Sequence, residues 1–154
     1  MGIGIDIDRL ADPTFFAQGR LAAHSDHRCF ASAAEAASGR SSFEVSLDGV
    51  WEFAYAKNPV LAVDGFQDPD YDVSQWDDIP VPAHIQLRGY DLPQYVNVHY
   101  PWDGHEQIDP GRVPQDYNPV ASYVRGFTLP GPPPDGERIV FRANRHEFGA
   151  RGAS

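Results

Sequence analysis

From Phe43 to Tyr55 apolar residues occupy every second position. Phe43, Val45 and Leu47 alternate with Glu44 and Ser46, Asp48-Gly49 interrupts, and Trp51, Phe53 and Tyr55 take the rhythm up again. Side chains of a strand point alternately to its two faces, so a period of two marks a strand with one face buried. Asp-Gly is a tight-turn dipeptide. The stretch therefore predicts a strand, a tight turn and a second strand. A helix would need a period near 3.6, which these residues lack.

The same grammar recurs along the chain. The 14 glycines and 14 prolines favour short strands joined by turns over long helices. Ile79-Pro80-Val81-Pro82 has prolines two apart, which suits an extended edge or crossing segment and not a central strand. Val120 to Pro130 reads as a strand with Tyr123, Phe127 and Leu129 on one face, and Arg138 to Phe141 restarts a strand after a rigid Pro-Gly turn. Helix signals are few. Asp12 before Pro13 could begin a short helix through Phe16, and Ala31 to Gly39 is alanine-rich enough for one or two helical turns or a loop.

At 154 residues the chain suffices for one domain. A net charge of −10 opposes binding to nucleic-acid phosphates and to anionic membrane surfaces. Cys29 is the only cysteine, so no intrachain disulfide can form, and no run resembles a signal peptide or reaches membrane-spanning length. These features predict a soluble, cytoplasmic protein. Neither possible metal pattern is persuasive. His24 and His27 are three apart without a supporting Cys or carboxylate cluster. The six aspartates between Asp64 and Asp78 lack the frame of a calcium loop and read as solvated loop charge.

The stretch most suited to a ligand is Pro93 to Glu106. Tyr95, Asn97 and His99 alternate with Val96, Val98 and Tyr100, Pro101 stops the ladder, and Trp102-Asp103-Gly104-His105-Glu106 follows as a polar loop. Aromatic faces beside neutral hydrogen-bonding groups suit sugars, which are uncharged, rich in hydroxyls and apolar on their C–H faces.

Tyr95 to Glu106 resembles the Y-x-N-V-x-Y-P-W-x-G-x-E signature in the N-terminal domain of glycoside hydrolase family 2 β-galactosidases. Other elements are similar to the same family. Ser46-Leu47-Asp48-Gly49-Val50-Trp51-Glu52-Phe53 fits its S-L-N/D-G-x-W-x-F element, with Trp51 read as a core aromatic in preference to a sugar-stacking platform. Trp76 to Tyr90 fits W-x-x-I-x-V-P-x-x-W-Q-x-x-G-Y, with Ile85 in place of Trp. Val120 to Pro130 resembles V-G-x-Y-R-R-x-F-x-L-P, with Ala121 and Val124 as departures. Arg20 to His27 resembles an N-R-x-P-x-H-S segment, with Gly19 and Ala22 departing. The resemblance covers about residues 20–141; from Arg142 onward the chain reads as coil.

The resemblance implies an all-β, jelly-roll β-sandwich of the galactose-binding-domain-like type, incomplete at its C-terminus. It divides the chain into an irregular N-terminal arm (1–42), a partial sandwich (43–141) and a non-matching tail (142–154). It implies that Asn97, with Val98 as a weaker neighbour, meets the galactose ring; Asn97 could alternatively pin its loop. Retaining glycosidases need two carboxylates about 5 Å apart. In the family both lie on a later barrel, so no catalytic residue is expected here and the chain alone should not be active. Mg²⁺ and Na⁺ belong to the intact family enzyme, and no ligand set for either is expected in this chain. The implied function is that of a non-catalytic sugar-binding domain fragment, with the galactoside substrate and the remaining domains or subunits as its partners. The alternatives are a free-standing carbohydrate-binding module or a non-functional or complementing fragment.

Overall fold

A computed structural model describes residues 9, 11–17, 19–22, 27–92, 103–109, 111–133 and 135–143. The chain divides into two compact units, one formed by Met1–Phe16 and Asp48–Gly126, the other by Ala17–Leu47 and Phe127–Ser154.

The first unit holds a three-stranded antiparallel sheet in the order β2-β1-β3. The strands are β1 (Gly49–Ala56), β2 (Asp77–Val81) and β3 (Val120–Val124). β1 is central: Trp51 stands opposite Ile79 of β2, and Phe53 stands opposite Tyr123 of β3. The period of two therefore gathers Trp51, Phe53, Tyr55, Ile79 and Tyr123 on one face. Phe53 and Ile79 are each only 1% exposed and form the core. The Phe53 ring packs against Tyr123 at 4.9 Å and against Tyr90 at 4.5 Å, while Trp51 meets Tyr123 edge-on at 6.4 Å. Burial of two such side chains contributes about 1.5–3 kcal/mol each. The all-β class is borne out, with one sheet of the incomplete sandwich among the described residues.

The proline pair also behaves as its chemistry demands. Pro80, which lacks an N–H, lies in β2 at one side of the sheet, where a missing donor is tolerated.

Several expectations are corrected. Residues 43–47 do not form a strand. Glu44 N donates to the Ser41 carbonyl, Phe43 N donates to the Ser41 hydroxyl, and both contacts bend the chain into a turn. Gly49 is not a turn centre either. It opens β1 opposite Val81 at φ +140°, far from the left-handed geometry of a two-residue hairpin turn. A Cβ on Gly49 would lie 2.7 Å from Arg125 Nη1, so glycine serves there to admit a guanidinium. That guanidinium also lies 5.9 Å from the Trp51 ring centre.

The strand from Val120 ends at Val124, and Phe127 is 55% exposed. Residues 138–141 are not a strand; Ile139, Val140 and Phe141 are each more than half exposed. An apolar run gains ladder bonds only where a neighbouring strand offers partners, and none pairs with it among the described residues. From Asp12 the chain makes a turn in place of the predicted helix: Phe15 N donates to the Asp12 carbonyl, and the Asp12 carboxylate accepts from the Thr14 amide and hydroxyl.

In the second unit the alanine-rich stretch is a helix, α1 (Ala33–Ser38). Ser32 caps it by accepting from Glu35 N, and Gly39 ends it at φ +68°. The Glu35 carboxylate reaches back to Ala31 N at 2.9 Å and across to Ser42 N at 3.2 Å. Those bonds, Ala31's first, hold the Glu35 carboxyl below its usual value near 4.5. A depressed folded pKa contributes stability above the ordinary carboxylate value and loses it as pH falls through the lowered one. The backbone chemical shifts of residues 33–38 are therefore expected to stay helical from neutral pH to about pH 5 and to fade below that. Glu35→Gln should flatten this acid dependence; an unchanged acid transition in that variant would reject the capping role.

Candidate functional site

Asn97 and Val98, together with Trp102 and the whole run 93–102, lie outside the described residues, as does His24. What is described is the ground on either side of that run.

The sheet positions the described residues on either side. Tyr55, near the end of β1, points to the aromatic face beside Tyr90 at 6.3 Å. Tyr90 follows a short 3₁₀ turn, Ile85–Arg88, closed by Gly89 at φ +87°. The Tyr90 phenol is raised above its ordinary value, first by burial and then by its hydrogen bond to Asp77. The next residue, Asp91, accepts a hydrogen bond from the Tyr117 hydroxyl at 2.5 Å. Burial pushes the Tyr55 phenol up, the Asp91 carboxylate adds to the rise, and a hydrogen bond with Tyr117 opposes it.

Tyr117 precedes β3 and is fastened to β1 through its neighbours. Asn118 N donates to the Lys57 carbonyl at 3.0 Å, and Asn58 Nδ2 donates to the Asp116 carbonyl at 3.4 Å. On its other side the Tyr117 ring stacks on His105, with centres 3.7 Å apart and planes 13° from parallel. Glu106 then accepts from Asp116 N at 3.1 Å and from Tyr117 N at 3.4 Å. A carboxylate receiving two backbone amides is a strong local tie. From Glu106 the chain borders an open depression of about 220 Å³ lined by Ile108, Asp109, Arg112 and Gln115 among others.

Four carboxylates elsewhere hold the chain's own shape. Asp64, Asp68 and Asp72 accept from backbone amides one or two residues on, as turn-forming aspartates do. Glu44 pairs with Arg28 through two bonds of 3.0 and 2.6 Å, at an exposed site where such a pair contributes about 0–1 kcal/mol. Among the described residues no group of three or more His, Cys, Asp or Glu could hold a metal ion. No helix among them is long and apolar enough to cross a membrane.

The sequence pattern includes Glu106 as the last residue of the Tyr95–Glu106 signature but assigns it no role. It passes over Tyr117 altogether, because a proline-broken loop has no periodicity to betray a half-buried tyrosine. The signal was present only in composition: an aromatic between Asp116 and Asn118, just before a strand.

The family model for glycosyl hydrolases family 2, sugar binding domain, matches residues 44–148. Its match continues past Phe141. Over 126 residues, 81% of this chain, the sequence is 47% identical to the β-galactosidase of Halalkalibacterium halodurans, and covers 12% of that protein. It is 42% identical to the β-galactosidase of Streptococcus thermophilus over 78% of this chain and 12% of that one. It is 38% identical to the β-galactosidase large subunit of Latilactobacillus sakei over 89% of this chain and 24% of that one. The chain thus spans between 12% and 24% of the length of these relatives.

Proposed function

The chain belongs to the family 2 glycosyl hydrolase sugar-binding domains, and on that footing we propose that it is a non-catalytic N-terminal portion of a β-galactosidase. In this reading the assembled enzyme hydrolyses terminal β-D-galactosides, and this portion lends Asn97 and Val98 to the galactose pocket. The observation that carries it is the asymmetry of coverage: four-fifths of this chain aligns to about an eighth of the Halalkalibacterium enzyme at 47% identity.

Its partners are then the remaining domains or subunits of the enzyme, and its location is the cytoplasm. The match to proteins named as large subunits, in Latilactobacillus sakei and Leuconostoc lactis, supports an assembly in which pieces of such an enzyme meet. Mg²⁺ and Na⁺ belong in this reading to the intact enzyme.

Mixing the purified chain with a β-galactosidase deleted at its N-terminus tests the proposal. Hydrolysis of a chromogenic galactoside should return on mixing and be absent from the chain alone. No recovery would sink the reading, and so would hydrolysis by the unassisted chain. Calorimetric titration of the chain with galactose should give no measurable heat; clear binding would favour a free-standing module instead.

A further inference from the structure

Tyr117 touches both described positions that flank the run carrying Asn97. On one side its hydroxyl donates to Asp91, two residues before Pro93. On the other its ring lies flat against His105, three residues after Trp102. Its own amide, with that of Asp116, is held by Glu106. Tyr117 is seated in turn on the sheet, through the Asn118–Lys57 bond and the hydrogen bond with Tyr55. One side chain therefore sets the spacing between residue 91 and residue 105 by two chemically separate contacts.

We propose that Tyr117 is a positioning residue, clamping Asp91 to the His105-Glu106 loop so that the sugar-contacting stretch between them starts and ends at fixed points. Its functional meaning rests on Asn97 acting as a sugar contact; its structural content rests on geometry alone. The two contacts are separable by substitution. Tyr117→Phe removes the hydroxyl and keeps the ring. His105→Ala removes the stack and keeps the hydroxyl. Tyr117→Ala removes both.

Hydrogen exchange of the full chain decides it, read on peptides covering 87–92 and 103–109 with 77–81, which shares no bond with Tyr117 described above, as the reference. Loss of one tie should raise local exchange about tenfold. Among these peptides Tyr117→Phe should quicken 87–92 alone, His105→Ala should quicken 103–109 alone, and Tyr117→Ala should quicken both while 77–81 keeps its rate. Equal acceleration of 77–81 in the phenylalanine variant would make Tyr117 an ordinary fold stabiliser and overturn the clamp, as would unchanged rates at both flanks. In the complemented enzyme, Tyr117→Ala should raise KM for the galactoside several-fold with kcat near its original value, and Tyr117→Phe should recover most of that loss. Failure of the unaltered chain to complement would count against the proposed function, while the exchange rates by themselves would still decide for or against the clamp.

Discussion

Phe53→Ala is expected to abolish the cooperative unfolding transition of the sheet unit at room temperature. Phe53 sits at the centre of β1, 1% exposed, with Tyr90 and Tyr123 on its ring at 4.5 and 4.9 Å. Truncating a buried phenylalanine costs about 3–5 kcal/mol through lost transfer energy and the cavity left behind. Small domains hold only about 5–15 kcal/mol in all. Ile79 is the other fully buried large side chain among the described residues, so little core remains to share the loss. Urea titration followed by tryptophan fluorescence measures it, because Trp51 shares the same face and meets Tyr123. Phe43→Ala provides the contrast. That ring is 62% exposed, and its removal should change stability by about 0.5 kcal/mol or less. Unfolding of both variants at the same urea concentration would show that Phe53 is not the centre of the core.

Asn97→Ala should lower kcat/KM of the complemented enzyme by about ten- to a hundredfold. A pocket that hydrogen-bonds a sugar hydroxyl through an amide loses both the bond and the satisfaction of the buried hydroxyl, about 1–3 kcal/mol together. Val98→Ala, which trims two methyl groups from an apolar neighbour, should cost less than Asn97→Ala. The amount of chain needed to restore half the activity should not change for either variant, since neither is expected to alter the sheet. An Asn97→Ala chain that restored full kcat/KM would remove Asn97 from the pocket and leave it as a loop residue.

The parts of this fold that announce themselves in the sequence are those whose physics is local. Trp51, Phe53 and Tyr55 alternate because β1 has one buried face, and that face is the one they occupy. Pro80 marks β2 as peripheral because a proline has no N–H to give to a ladder. What misleads is partnership. Phe43, Val45 and Leu47 carry the same alternation as β1, yet β1 pairs with residues 77–81 and 120–124. No short-range signal can weigh a neighbour far along the chain against the adjacent stretch. The hydroxyl and carbonyl of Ser41 then turn the chain at Phe43 and Glu44. Capping was legible in principle, since Ser32 and Glu35 stand three apart, but alanine content alone left helix and loop equally open. At the candidate site the motif directs attention to Asn97, while the described framework rests on Glu106, Asp91 and Tyr117, residues whose roles arise only when three loops meet.

The close approach of Arg125 to Gly49 makes two distant positions answer to one another. A side chain can be introduced at 49 only if the guanidinium shifts aside, and that guanidinium also stands near the Trp51 ring. Variation at the start of the central strand is thus tethered to the residue just beyond the third, and a designer wishing to alter either should treat them as a single unit of choice.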